Sequence, residues 1–162
     1  TPRSLEELFD QTATTAQFTV LAHPVLCKYK VPQIVLDRIN GIEIWNTNYN
    51  TRYLADPNAI ALYQQLHALR PDVVATVGLD QHDRRNDRGV RTLIAPEDLA
   101  SPGNALKAGR FSTVGRNSSF DSHATVTQSD MRKLRIKRSA LDTINRVHDR
   151  LVFAMRRAGF DP

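Results

Sequence analysis

The apolar positions of this chain fall into short runs that alternate between two spacings. Residues 17–22, QFTVLA, are β-branched and apolar enough for a buried strand that ends at His23-Pro24. In VPQIVLDRIN, Pro32 suits a first helical turn, Ile34, Val35 and Ile39 share one side, and Gly41 is the stop. GIEIWN, residues 41–46, predicts a second strand. After a polar loop, DPNAIALYQQLHAL predicts a helix with Asp56 as N-cap and Pro57 at its first position, its stripe of Ile60, Tyr63, Leu66 and Leu69 facing a sheet. DVVATVG, residues 72–78, predicts a third strand. Strands alternating with helices point to an α/β fold with a parallel sheet or barrel.

Past residue 83 the pattern loosens. DRRNDRG is a charged turn, PEDLASPGNALKAG predicts one or two short helical turns ending at Gly109, and RFSTV another strand. The polar stretch 115–130 reads as a loop, with a strand at HATVT. A long amphipathic helix is expected from Ser139 to Gly159, with Ser139 as cap and Leu141, Ile144, Val147, Leu151, Ala154, Met155 and Ala158 as its apolar stripe.

Parallel strands end on one edge, and α/β proteins carry their chemistry on the loops there. The polar residues at the three expected strand ends are His23, then Asn46, then Asp80 with His82. Asp80 and His82, two positions apart, share one side of an extended backbone. Two histidines and a carboxylate from two of these ends, with Asn46 at the third, read as a divalent-metal site suited to Zn, Mn or Fe. Arg52 and Arg84 are placed to hold a phosphate through paired donors, against the plainer reading of solvated arginines. Glu43 and Trp45 fall on one strand face, which makes Glu43 a hydrogen-bond acceptor behind the ligands or a satisfied interior carboxylate; Asn46 is similar. His67 reads as a helix-end histidine facing the dipole, His148 as a packed or half-exposed neighbour of the last helix's stripe, and His123 as a loop residue. Cys27 is expected to be a packed thiol.

Length and charge narrow the partners. The 162 residues suffice for one domain or part of one and fall short of a complete β/α barrel of about 250. No apolar run approaches the ~20 residues that cross a bilayer, so no membrane partner is expected. The N-terminus has no signal-peptide pattern, and one cysteine is compatible with a reducing cytoplasm, the expected location. The net charge of +5 is uneven: residues 1–103 carry 10 basic against 12 acidic side chains, residues 104–162 carry 12 against 5. MRKLRIKRS, at 131–139, holds five of the basic residues. A second reading is therefore a non-catalytic nucleic-acid or protein-binding module using this segment.

Taken in order, LAHP, GIEIWN, GLDQH and ALKAGRF resemble the second half of the PHP (polymerase and histidinol phosphatase) metal-dependent phosphoesterases, over about residues 17–111. The resemblance implies the C-terminal part of a distorted PHP-type β/α barrel for residues 1–111, with 112–162 as a loop and basic helix. It implies hydrolysis of a phosphate ester by a cytoplasmic hydrolase using two or three divalent ions. On matching positions, His23 is similar to the family's His-Pro ligand, Asp80 and His82 to its late Asp-x-His pair, and Glu43 to its Gly-Ile-Glu glutamate. Leu79 departs from the family's small residue, and no H-x-H pair occurs in the chain. Together with the absent initiator methionine and the half-barrel length, this predicts a chain lacking the N-terminal half of the site. Sheet edges left open by missing strands predict a homo-oligomer or pairing with that half.

Overall fold

The computed structural model describes residues 2–49, 54–80, 89–115, 118–123 and 126–158. Three parallel strands carry the fold: β1 (Val20–Leu21), β2 (Gly41–Asn46) and β3 (Val74–Gly78), in spatial order β1-β2-β3. Every residue of central β2 is buried, as expected of a strand hydrogen-bonded on both sides with both faces covered. α2 (Gln33–Arg38) and α3 (Pro57–Leu69) make the crossovers, and α1 (Leu5–Ala13) precedes the sheet. Among the described residues the sheet is open and does not close into a barrel. The architecture is mixed α/β with a long C-terminal helix.

Both elements that frame the site have the expected bounds. In α3, Asp56 accepts from the backbone N–H groups of Asn58 and Ala59 (2.9 and 3.4 Å) and from the Tyr29 hydroxyl (2.5 Å). Its own N–H donates to the Ile44 carbonyl (2.8 Å), which ties the helix start to β2. Ile60, Tyr63 and Leu66 are buried, but Leu69 is 81% exposed, because a strict i, i+3 series drifts about 60° per step around a helix and carries its last member off the buried face. The first strand is shorter than QFTVLA, with only Val20 and Leu21 pairing to β2.

An antiparallel sheet follows, with β4 (Arg91–Ile94), β5 (Phe111–Val114) and β6 (Ser119–Asp121) in sequential order. A 3-10 turn (Pro96–Asp98) and α4 (Pro102–Lys107) connect β4 to β5, and Gly109 takes a φ of 68° after them. β4 was not anticipated, since only one of its four residues is better than exposed and it shows no apolar alternation. The third strand of this sheet is SFD rather than HATVT, of which residues 124 and 125 lie outside the described set. The Ala75 N–H donates to the Ser122 carbonyl (2.9 Å), joining β3 to the end of β6.

The chain divides into two units, Thr1–Thr125 and Val126–Pro162. The second is α5 (Gln128–Arg157), 30 residues long. It starts 11 residues before the expected cap: Thr127, not Ser139, accepts from the Asp130 N–H (3.1 Å), and its hydroxyl donates to the Asp130 carboxylate (2.7 Å). The basic run MRKLRIKRS is thus helical, since Lys, Arg and Leu are all good helix formers. No described helix is long and apolar enough to cross a membrane.

Replacing Asp56 with Ala removes the cap and leaves the Tyr29 hydroxyl without its acceptor. Loss of about 1–2 kcal/mol in urea unfolding is expected, with Asp56→Asn recovering much of it. A second outcome concerns Tyr63, whose hydroxyl donates to the Ser122 carbonyl (3.2 Å). Burial, reinforced by the Asp121 carboxylate, pushes its pKa from 10.0 up to about 12. The folded state then holds a proton that the unfolded state releases first, so this group's contribution is intact below pH 10.0 and is lost towards pH 12. Unfolding midpoints measured across that window should fall more steeply for the native chain than for Tyr63→Phe.

Candidate metal centre at the strand ends

The C-terminal ends of the three parallel strands deliver His23, Glu43, Asn46 and Asp80 to one place. Glu43 is the buried charge at its middle, 6% exposed, and a carboxylate out of water must collect donors. Its Oε2 accepts from the His23 backbone N–H and lies 2.8 Å from His23 Nδ1. The Asn46 side-chain amide reaches both carboxylate oxygens at 3.2 Å. Asn46 Oδ1 accepts from the backbone N–H groups of Asn48 and Tyr49 (2.8 and 2.9 Å), which fixes the amide's orientation and turns its NH2 towards Glu43.

This network decides the state of His23. Asn46 Nδ2 also lies 2.8 Å from His23 Nδ1, but a ring nitrogen cannot donate to Glu43 and accept from Asn46 at once. The charge-assisted bond to the carboxylate is the stronger, so in the neutral ring the proton sits on Nδ1 and Nε2 is the nitrogen with the lone pair. Nε2 faces Asp80 Oδ1 at 3.8 Å, beyond hydrogen-bond reach. Two ligands bound to one ion at about 2.0–2.2 Å stand roughly 3–4 Å apart, so the pair fits a shared cation. Asp80 Oδ2 accepts from Asn48 Nδ2 (3.1 Å), and the Tyr49 ring lies 4.8 Å from the His23 ring.

A β-bulge makes the cluster possible. The β2–β3 register runs Glu43 to Thr76, then Trp45 to Val77, so Ile44 is the extra residue. In a regular strand Glu43 and Asn46 would point to opposite faces; with one residue inserted they share a face. Trp45 is correspondingly displaced from Glu43's side, contrary to the expectation that the two share one. Its indole packs edge-on against Phe120 (6.5 Å) and lies against Gly115. Opposite Asn46, Gly78 leaves the space that the carboxylate fills: a Cβ there would stand 1.8 Å from Glu43 Oε1. His23 and Asp80 both hold left-handed backbone, φ 50° and 49°, which costs a non-glycine residue roughly 1 kcal/mol. Among the described residues four non-glycine residues hold such backbone, and two of them are the facing pair, which places the strained backbone at the site.

The other expected site residues divide into two groups. His82, Arg52 and Arg84 lie outside the described residues. Among the described residues no three His, Cys, Asp or Glu side chains form a metal-holding group; His23 and Asp80 are a facing pair. Asn48 and Tyr49 were missed, although they stand two and three residues after Asn46 in the loop that leaves β2. His67 lies elsewhere, its Nδ1 donating to the Val73 carbonyl (2.8 Å) and its ring stacked on Tyr63 (5.2 Å) and beside His123 (5.4 Å). Cys27 is exposed, not packed, with its thiol directed at the Pro24 carbonyl (3.2 Å), and the His148 side chain is 71% exposed. Protein-family models, curated proteins and solved structures yield no match to this chain.

Gly78→Ala forces Glu43 out of its cradle and should cost about 1–3 kcal/mol, with loss of the single Nδ1-protonated form of His23 in nitrogen-15 spectra. A His23 spectrum unchanged by the added methyl would show that Glu43 does not set the tautomer.

Proposed function

We propose that the strand-end cluster is part of the metal site of a PHP-type phosphoesterase, in which divalent ions support hydrolysis of a phosphate ester. The observation that carries the reading is the clamped His23 ring. Glu43 holds Nδ1–H, which leaves Nε2 as a ligand aimed at the space before Asp80, the carboxylate–histidine pairing that recurs behind metal-binding imidazoles. Ordered motifs in LAHP, GIEIWN and GLDQH support it from the sequence side.

In this reading His23, Asp80 and His82 hold the metal, and Zn, Mn or Fe suits the nitrogen and oxygen donors. Bound divalent ions neutralise phosphoryl charge and acidify water. Glu43 fixes the ring plane of His23, while the Asn46 amide holds Glu43 in place. Asn48 orients the second oxygen of Asp80, leaving Oδ1 towards the histidine. Arg52 and Arg84 are assigned to the substrate's phosphate. Because an H-x-H pair occurs nowhere in the chain, the reading assigns the remaining ligands to an N-terminal half of the barrel, and full activity to the protein that contains both.

Metal titration by calorimetry, with elemental analysis of the purified chain, tests it. Zn, Mn or Fe should bind and be lost in His23→Ala, Asp80→Ala and His82→Ala, while Glu43→Gln should weaken binding about 10–100-fold without removing the ligands. Equal affinity in the native chain and in Asp80→Ala would overturn the assignment.

A further inference from the structure

The feature that the strand-end site leaves unused is α5. From residue 140 to the C-cap Ala158 the apolar positions other than Phe153 gather on one side: at about 100° per residue, Ala140, Leu141, Ile144, Val147, Leu151, Val152, Ala154, Met155 and Ala158 occupy an arc of roughly 160°. The middle of that arc is bare, with Ile144 62%, Val147 51%, Leu151 60% and Met155 43% exposed. Arg150 and Arg156 flank it and Arg146 and Arg157 stand opposite, with Phe153 beneath the Arg157 guanidinium (5.7 Å). The N-terminal part of the helix is different, with five basic residues and one acidic between Gln128 and Arg138. Two of these, Lys133 and Lys137, project along the same line as Ile144, Leu151 and Met155. One face therefore presents cationic ammonium groups and then an apolar stripe.

We infer that α5 lies in the surface of an anionic lipid bilayer, with the Ile144–Val147–Leu151–Met155 face in the acyl boundary and Lys133 and Lys137 on the headgroups. The charge decides among occupants. Nine basic and three acidic residues lie between Gln128 and Arg157, so a second copy would bring like charge against like along the helix. Nucleic acid would satisfy the cations and leave the stripe in water. An anionic membrane takes both, and an amphipathic helix with basic residues on and around its apolar face is the form that binds there. A helix lying in the interface needs no spanning run, so this is consistent with the absence of one. The strand-end site plays no part in the inference, and His23→Ala should leave lipid binding unchanged.

Co-sedimentation of the full chain with vesicles of mixed phosphatidylcholine and phosphatidylglycerol, against phosphatidylcholine alone, tests the inference. Binding is expected to the anionic vesicles, weakening with salt. It should fall at least tenfold in Ile144→Glu and in Leu151→Glu, and about fivefold each in Lys133→Ala and Lys137→Ala. Phe153→Ala, on the opposite side, should bind as the native chain does. Circular dichroism confirms that each variant keeps its helix. No binding to anionic vesicles, or binding that survives Ile144→Glu, overturns the inference. So does light scattering that shows a dimer dispersed by Ile144→Glu in a chain that ignores vesicles, because a second copy would then cover the stripe.

Discussion

The Glu43 carboxylate, buried at the centre of the parallel sheet, is the constraint around which the strand ends are arranged. A charge at that depth is tolerated only with its oxygens saturated by donors, and each donor comes from a different part of the chain. The backbone and ring of His23 arrive from the end of β1, and the Asn46 amide from the end of β2. Gly78, at the end of β3, contributes by having no side chain at all. Removing any of these contributions leaves a buried charge short of a partner, so the cluster is a mutually dependent set rather than a group of neighbours.

The bulge at Ile44 converts this demand into geometry. It brings Asn46 to Glu43's side and frees Trp45 to fill the space beneath Gly115 and Phe120. The Ile44 carbonyl meanwhile takes the Asp56 N–H, so the irregularity that aims the site also anchors the start of α3. One inserted residue thus links the polar cluster, the indole packing and the helix that covers the sheet. The left-handed backbone at His23 and Asp80 is a local cost of presenting two side chains to each other across the strand ends, and Asn48 and Glu43 hold the pair in place.

α5 is governed by other physics. Its formation follows from helix propensity and the Thr127 cap, with its apolar arc left exposed. Stability of the helix and burial of its stripe are therefore separate matters.

Much of the framework was legible because it is written locally. The bounds of β2 and α3 follow from a run bracketed by Gly41 and Asn46 and from Asp56-Pro57, signals that act within a few residues. The parallel arrangement, and with it the convergence of His23, Asn46 and Asp80, follows from strand–helix alternation. What tertiary structure alone decided is the register. The sequence GIEIWN alternates as if Glu43 and Trp45 shared a face, and only pairing with β3 shows the extra residue. The same holds for β4, whose residues carry no apolar alternation and become a strand by pairing with β5. Turn chemistry and periodicity are properties of neighbouring residues, whereas hydrogen-bond register and burial are settled between segments far apart in the chain. Strand–helix alternation therefore brings His23, Asn46 and Asp80 to the strand ends, and only the folded structure shows that Glu43 reaches across to hold the Nδ1 side of the His23 ring.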